Sequence, residues 1–556
     1  MSILSESSEF KTNIIAASGL LPILEILDVC QRRDLIFQLL KIINIVSNVE
    51  AQENLCFIGG IPVITKFASK KYPYDIRIEA AFFVKMLCQS SAIVLQMFLS
   101  CRGLNVLVEF LEEDYEIQKD LVWIGINGVW SIFEAQGSSP KRDFCRIFAK
   151  SGIMDPLSLV LHHVLNEEQT ELNKICGERI VKIFLLFSQA DNIVKELITT
   201  RGVIRRILKD LSRMPLYLQI NMLKFVKNLS MVPATLDTLQ NANTIEILTE
   251  ILASREGMTN SKDIYNQVLN TMYNLCRLSK SRQEEAALSG VVPLLQNIVQ
   301  KEPILKEFAL PILCDLAHAS KVCRKVLWQN GSLDFYLFLL NDPYWQANAL
   351  DAILVWFQDD SGKLEEYLIR PSSIFAIIEA FSTAKANSFE NLLECLYKLL
   401  RLSQRIAYAL AQPKFFEKLI KRLQHQKPIV RLNLLRVLKS ICNAHPFKQN
   451  LVSQYGLYDI IEKLSQQDTA VLVRELAKDI MNQILLDNST SSKLSKSSYD
   501  NEYSNQVSTV WFDANDRLVY DKSNESSSLK GAFDNDLIYR TSKTEIHQRH
   551  NIYKKY

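Results

Sequence analysis

A chain of 556 residues with 48% hydrophobic residues but only 16 glycines and 15 prolines has too few turn formers for a β-rich fold and too much length for one ordinary core. A formal charge of +3 is close to balance and excludes nucleic acid as the default partner, and no uncharged run of about 18 apolar residues is present to insert in a membrane. The first residues lack the basic segment and apolar stretch of a secretory signal, and eleven cysteines without a CxxC pair read as reduced, buried thiols of a cytoplasmic or nuclear protein.

Residues 1–12 are expected to be a disordered start. From Asn13 a short phrase recurs, a small or polar residue, often Gly, followed by an apolar run that opens a helix. Copies begin at Ser18-Gly19, Gly59-Gly60, Arg102-Gly103, Ser151-Gly152, Arg201-Gly202, Ser289-Gly290, Asn330-Gly331 and Tyr455-Gly456, with weaker copies near Asn243, Ser372 and Pro413. Gly is expected to end the preceding short helix in a left-handed cap, with Pro22, Pro62 and Pro293 in a first helical turn where a missing N–H costs nothing. Each anchor precedes a short helical pattern such as Leu20–Leu27, then a longer one ending in a phrase such as Ile42–Val46, then a third short helix such as Gln52–Ile58. The spacing of about 41–50 residues predicts an all-α, armadillo/HEAT-type right-handed superhelical solenoid of about 10–11 repeats over residues 13–485.

This three-helix unit resembles the armadillo repeat. The resemblance implies that an Asn near the end of the long helix lines a concave groove. Asn44, Asn228 and Asn274 match it, whereas Met86, Asp315, Lys398 and Ser440 stand at equivalent positions. Nuclear-import adaptors of this fold also carry a Trp four residues earlier. Leu40, Lys224 and Asn270 occupy that place here, which argues against a groove for nuclear localisation signals.

Further along, residues 109–120 are acidic, and His162-His163 reads as part of a helix surface. Trp123, Trp130, Trp345 and Trp356 lie in helical patterns, with core packing preferred over a binding platform. Residues 414–448 hold nine Lys/Arg against Glu417 alone. A solvated face is the default reading; the sharper one is a dock for an acidic or phosphorylated partner through Lys421, Arg422, Arg431 and Arg436. Regular patterning ends near Ile484, and the Ser-rich 486–556 stretch is expected to be a mostly disordered tail with Val510–Asp513 and Asp536–Tyr539 as short docking motifs. Ser526–Ser528 and Thr541-Ser542 are candidate phosphorylation targets. No polar capping repeat precedes Asn13, and an uncovered first face invites self-association.

No phosphate-cradling loop, kinase signature, nucleophile elbow or zinc-ligand spacing is found, so no catalytic, cofactor or metal residue is assigned. Several longer phrases point elsewhere: Glu53–Pro62, Ile76–Phe83, Leu95–Gly103, Trp123–Trp130, Asp143–Phe148 and Asp342–Asp351. Together they resemble the non-catalytic C-terminal half of the fungal septation-initiation and mitotic-exit network protein kinases, related to plant MAP kinase kinase kinase epsilon. The resemblance implies a protein-interaction scaffold in cytokinesis signalling, placed at the spindle pole body or division site and recruited by an active Ras-like small GTPase or a spindle-pole scaffold. Members of that family are serine/threonine kinases through an N-terminal domain that this chain does not include. The chain is then either a piece of a longer kinase or a separate regulatory protein, with a general armadillo adaptor as the alternative.

Overall fold

The computed structural model describes residues 19–135, 138–168, 170–255 and 262–494; the expected disordered start, the four tail motifs and most of the tail lie outside them. Every regular element among the described residues is helical, and those up to Asn488 form one unit. Eleven long helices recur: Arg33–Val46, Tyr74–Cys88, Lys119–Ala135, Glu171–Ser188, Leu216–Ser230, Lys262–Cys276, Lys306–Ala319, Gln346–Asp359, Ala386–Leu402, Pro428–Ala444 and Val471–Leu494. The first ten stack on one another in chain order. Each is preceded by an opening helix such as Leu20–Val29 and, except the last, followed by a linking helix such as Val49–Phe57. This is an all-α armadillo-type solenoid. The last helix continues past Ile484, where the repeat pattern fades in the sequence.

The long helices stack because apolar residues occupy more than one of their faces. Lys262–Cys276 buries Ile264, Val268, Leu269, Met272 and Leu275. Asn266, Asn270, Tyr273 and Asn274 form one half-buried stripe at three- and four-residue spacing. One continuous apolar core therefore runs through the repeats, each unit sharing it only with its neighbours.

The chain turns between helices by two devices. Most linking helices start on a side-chain cap: the side-chain oxygens of Asn48, Asp191, Ser320 and Ser403 accept the N–H of Ala51, Val194, Cys323 and Ile406 at 2.7, 3.0, 3.3 and 3.1 Å. Asp191→Ala should therefore lower stability by about 1 kcal/mol, read as a shifted urea midpoint at constant slope. Most opening helices start after a left-handed residue. Gly59, Gly152, Gly290, Gly331 and Gly456 take this conformation as expected, with φ of +89° at Gly290.

Gly19 departs from that reading with φ −68°, Gly202 sits inside a helix, and in the 102–103 copy it is Arg102 that is left-handed, at φ +62°. Gly103 is needed for a different reason. A Cβ there would come within 2.4 Å of the Phe98 ring, so only Gly lets the two short helices meet. The Gly125–Gly128 pair likewise admits the opening helix Gly103–Leu111, since a Cβ on Gly128 would lie 2.6 Å from Leu107 Cδ2.

Buried arginines tie successive repeats together. Arg77 Nε donates to the Ala68 carbonyl at 3.1 Å, while its other nitrogens reach Gln118 and Glu113 of the next repeat at 2.9 and 2.5 Å. Arg431 repeats the arrangement with His425, Gln426 and Asp468. On the linking helices Arg282 joins the Leu275 carbonyl to Asp237, and Arg324 joins the Ala317 carbonyl to Asp359. In each case one guanidinium satisfies a carbonyl at a helix end or, for Arg431, in the loop before its own helix, together with a carboxylate or amide of the neighbouring unit.

Candidate protein-binding face

The half-buried stripes of consecutive long helices lie side by side and form a shared ladder face. Two of the three ladder asparagines behave alike: Asn228 Nδ2 donates to Ser188 Oγ at 3.0 Å and Asn274 Nδ2 to Ser230 Oγ at 3.1 Å, each reaching back to the end of the preceding long helix. These bonds use the amide nitrogens and leave each carbonyl oxygen available as an acceptor. Asn44 differs. Its Nδ2 donates forward to the backbone and carboxylate oxygens of Glu79 at 2.9 and 2.8 Å, and its Oδ1 is buried without a partner. Asn44 is thus spent within the fold, and the three do not make one continuous ladder.

The basic residues of 414–448 are drawn largely into pairs with other repeats. Lys427 meets Glu390, Lys414 meets Glu379, and Lys439 meets Asp479 at 2.6 Å. Lys421 pairs along its own helix with Glu417 at 2.8 Å. Arg422 is half-buried over the Phe389 ring, 3.8 Å from its centroid, and its Nη2 donates to the carbonyls of Ser382 and Ala384 at 3.1 and 2.9 Å. Burial lowers its pKa, and the site it fills is the C-terminal end of the Pro371–Thr383 helix. Arg431 is enclosed, whereas Arg436 lies over Tyr397 with Asn433 Oδ1 at 3.0 Å and remains half-exposed on the ladder face.

Other expected features sort as follows. His162 is no plain surface residue, because its Nδ1 lies 2.9 Å from the buried Asp210 carboxylate, whereas His163 stacks on Tyr115. Trp356 is core, against the edges of Trp328 and Tyr336, while Trp123, Trp130 and Trp345 are half-buried. Nine of the cysteines are buried, with Cys30 half-buried and Cys101 exposed, and burial pushes the Cys88 pKa to about 12, far from thiolate chemistry at neutral pH. No cluster of His, Cys, Asp and Glu suited to a metal occurs among the described residues, and no single described helix is long and apolar enough to cross a bilayer.

Two features of the ladder face are not apparent from the sequence read repeat by repeat. The first is a cleft of about 330 Å³ between Lys119–Ala135 and Glu171–Ser188, lined by Trp130, Phe133, Leu185, Leu186 and the Lys182 stem, with Glu134 and Gln189 at its lip. The second is a His318–Asp351 pair at 3.3 Å, with the side chains 40% and 46% exposed. Burial works against the imidazolium, but the hydrogen bond and the charges of Asp351 and Asp315 outweigh it and raise the His318 pKa. A raised pKa gives stability that is complete below the ordinary histidine value and lost as pH rises through the folded one. Wild type should lose a few tenths of a kcal/mol relative to His318→Gln between about pH 6 and pH 8, a size set by solvent screening and measurable by paired urea melts.

Comparison with known proteins gives the relationships of the chain. No family model matches it. Over 484 residues it is 55% identical to the cytokinesis protein sepH of Emericella nidulans, covering 86% of this chain and 36% of that protein. It is 37% identical to the cell division control protein 7 of Schizosaccharomyces pombe, covering 86% and 45%. The MAP3K epsilon protein kinase 1 of Brassica napus is 25% identical over 686 residues, covering 85% and 53%. The chain therefore spans about a third to a half of the length of these relatives. A chain from a solved structure of the cadherin–β-catenin interaction is 14% identical and covers 87% of this chain and 89% of that one, at a TM-score of 0.40. A designed armadillo repeat protein covers 46% and 99% at 12% identity and a TM-score of 0.32. These scores are low, and the repeat geometry described above is what establishes the class.

Proposed function

We propose that this chain, a homologue of the sepH and cell division control protein 7 cytokinesis proteins, is a protein-interaction scaffold that localises and regulates a septation-initiation kinase pathway. The carrying observation is 55% identity to a cytokinesis protein over 484 residues, on a solenoid whose long helices carry half-buried residues, polar and apolar, along the ladder face. The finer reading is that the solenoid binds a Ras-like small GTPase in its active state, or a spindle-pole scaffold, and gathers at the division site. Phosphotransfer in such a pathway is assigned to a segment other than these helices, because the sequence has no Gly-rich loop, His-Arg-Asp or Asp-Phe-Gly motif.

A pull-down with GTP-loaded against GDP-loaded small GTPase from the same organism tests this. Retention of the GTP form alone is the expected result, and equal or absent retention of both counts against the GTPase reading. The alternative of a general armadillo adaptor draws on Asn228 and Asn274, and micromolar binding of basic peptides would favour it. An in-frame Gly-rich loop and His-Arg-Asp in the genomic sequence upstream of Met1 would instead make the product an active kinase.

A further inference from the structure

The ladder face changes character between the third and fifth long helices. At its start is the apolar cleft, open to solvent, with the half-buried Trp130 as one wall and Leu185 and Leu186 as the other. Lys182 crosses its rim with its ammonium 5.8 Å from the Trp130 ring centroid. The next stripe carries Lys224 and Lys227. Its register is fixed by the Asn228–Ser188 bond and by Phe225 against Phe184, ring centroids 5.2 Å apart, which sets these lysines beside the Lys182–Leu186 segment.

The charges in this region do not balance. Arg179 is held by Asn127, and Glu178 is shared between Lys182 at 3.5 Å and the Tyr217 hydroxyl. Glu134 stands at the cleft lip. Lys224 and Lys227 meet no carboxylate among the described residues. Lys227 is half-buried, and burial, reinforced by Lys224, lowers its pKa. Some lysines of this fold are matched across repeats, as Lys306 is by Asp342 and Lys439 by Asp479, whereas Lys224 and Lys227 are not. Two adjacent, partly desolvated and unmatched ammonium groups raise the energy of the free protein, and an incoming carboxylate relieves that cost.

We propose that this part of the ladder face is a docking site for an acidic peptide segment with one aromatic side chain, the ring entering the Trp130–Leu185–Leu186 cleft and the carboxylates facing Lys182, Lys224 and Lys227. A volume of about 330 Å³ accommodates one aromatic side chain, and the Trp130 wall gives it an edge or face to pack on. The apolar anchor supplies affinity, while the lysines supply selection by sign and a steep salt dependence. The proposal rests on the reading of the solenoid as a protein-binding region and names the chemistry of one partner segment. Its test contains no GTPase, so either idea can fail alone.

The experiment uses the full chain and fluorescein-labelled peptides in an anisotropy titration. One peptide is rich in Asp and Glu around a central Trp, one has Ala for that Trp, one has Lys for every acid, and one carries phosphoserine in place of the acids. The acidic Trp peptide is expected to bind in the micromolar range and to weaken as salt is raised. Lys224→Glu/Lys227→Glu should weaken it by at least about tenfold and gain binding of the Lys peptide. Trp130→Ala should remove the preference for Trp over Ala in the peptide. Circular dichroism melts identify any variant that fails to fold, and the peptide comparisons on wild type stand without the variants. Equal binding of acidic and basic peptides, no binding of the acidic Trp peptide, binding of the phosphoserine peptide alone, or indifference to the double lysine reversal would each overturn the proposal.

Discussion

Phe184→Ala is expected to cost about 3–5 kcal/mol and to split the unfolding of the solenoid into two steps. Phe184 is 0% exposed and meets the edge of Phe225 on the next long helix. Truncation therefore removes both buried apolar area and the main aromatic contact between the fourth and fifth repeats. In a repeat array the stability is close to a sum of unit terms and nearest-neighbour interface terms. Weakening one interior interface lets the two flanking blocks melt separately, whereas an equal loss inside a single globular core would only shift one transition. Phe184→Leu keeps most of the volume and should cost less than about 1.5 kcal/mol, with one transition retained. Urea melts followed by far-ultraviolet circular dichroism separate these outcomes, and a single unshifted transition for Phe184→Ala would contradict nearest-neighbour coupling. The same helix carries Lys182, Leu185 and Leu186, so binding at the ladder face should fall with the loss of its upstream support.

Arg431→Ala is expected to destabilise the end of the array by about 3–5 kcal/mol, because it strands a buried carboxylate. Arg431 and Asp468 are 11% and 2% exposed, and the guanidinium fork holds both carboxylate oxygens at 2.6 and 2.8 Å. The same side chain satisfies the carbonyls of His425 and Gln426 at 2.7 and 2.8 Å. When the arginine is gone the Asp468 carboxylate keeps one hydrogen bond, from the Ala470 N–H at 2.8 Å, and the more distant charge of Arg474. The damage should be local, seen as faster hydrogen exchange across residues 428–484 while residues 74–230 are unchanged. A double change, Arg431→Met with Asp468→Leu, should recover much of the loss by removing the stranded charge.

The pH dependence follows from the same pair. The Arg431 hydrogen bond, above all, holds the Asp468 carboxyl below its ordinary value. A lowered pKa contributes stability that is present above the unfolded value and lost as pH falls through the folded one. Wild type should therefore weaken on acidification below the ordinary carboxylate range, whereas Arg431→Ala, whose stranded carboxylate is relieved by protonation, should not show that loss. Uniform exchange across the chain, or a cost below about 1 kcal/mol, would show that the arginine ties are decoration on the stack.

The repeat period was readable because its chemistry is local. A left-handed residue, a first-turn proline and helical spacing of apolar positions all fall within a few residues of one another, and they place Gly290 and Gly456 as well as the long-helix ends. Gly103 shows where that reading reaches its limit. The sequence presents it as a cap, but its small size is required by Phe98 through tertiary approach.

The partners of the basic 414–448 patch were not legible for a related reason. Its neutralising acids Glu379, Glu390, Asp468 and Asp479 lie about one repeat away in sequence, outside any local window, although the 41-residue spacing could have aligned them. The same alignment sets Lys224 beside Lys182 and Asn270 as equivalent positions. Read that way, the sequence holds the lysine stripe, but not the absence of partners that gives it meaning. Asn44 looks identical to Asn228 and Asn274 until Glu79 of the next long helix is placed against it.

The functional account is tested most directly in dividing cells. A fluorescent fusion of this solenoid, expressed in Emericella nidulans and followed through septation, is predicted to concentrate at the spindle pole or the forming division site and to disperse when division ends. Fluorescence that stays evenly spread throughout division, from a fusion shown to be folded and intact, would contradict a localising scaffold in cytokinesis.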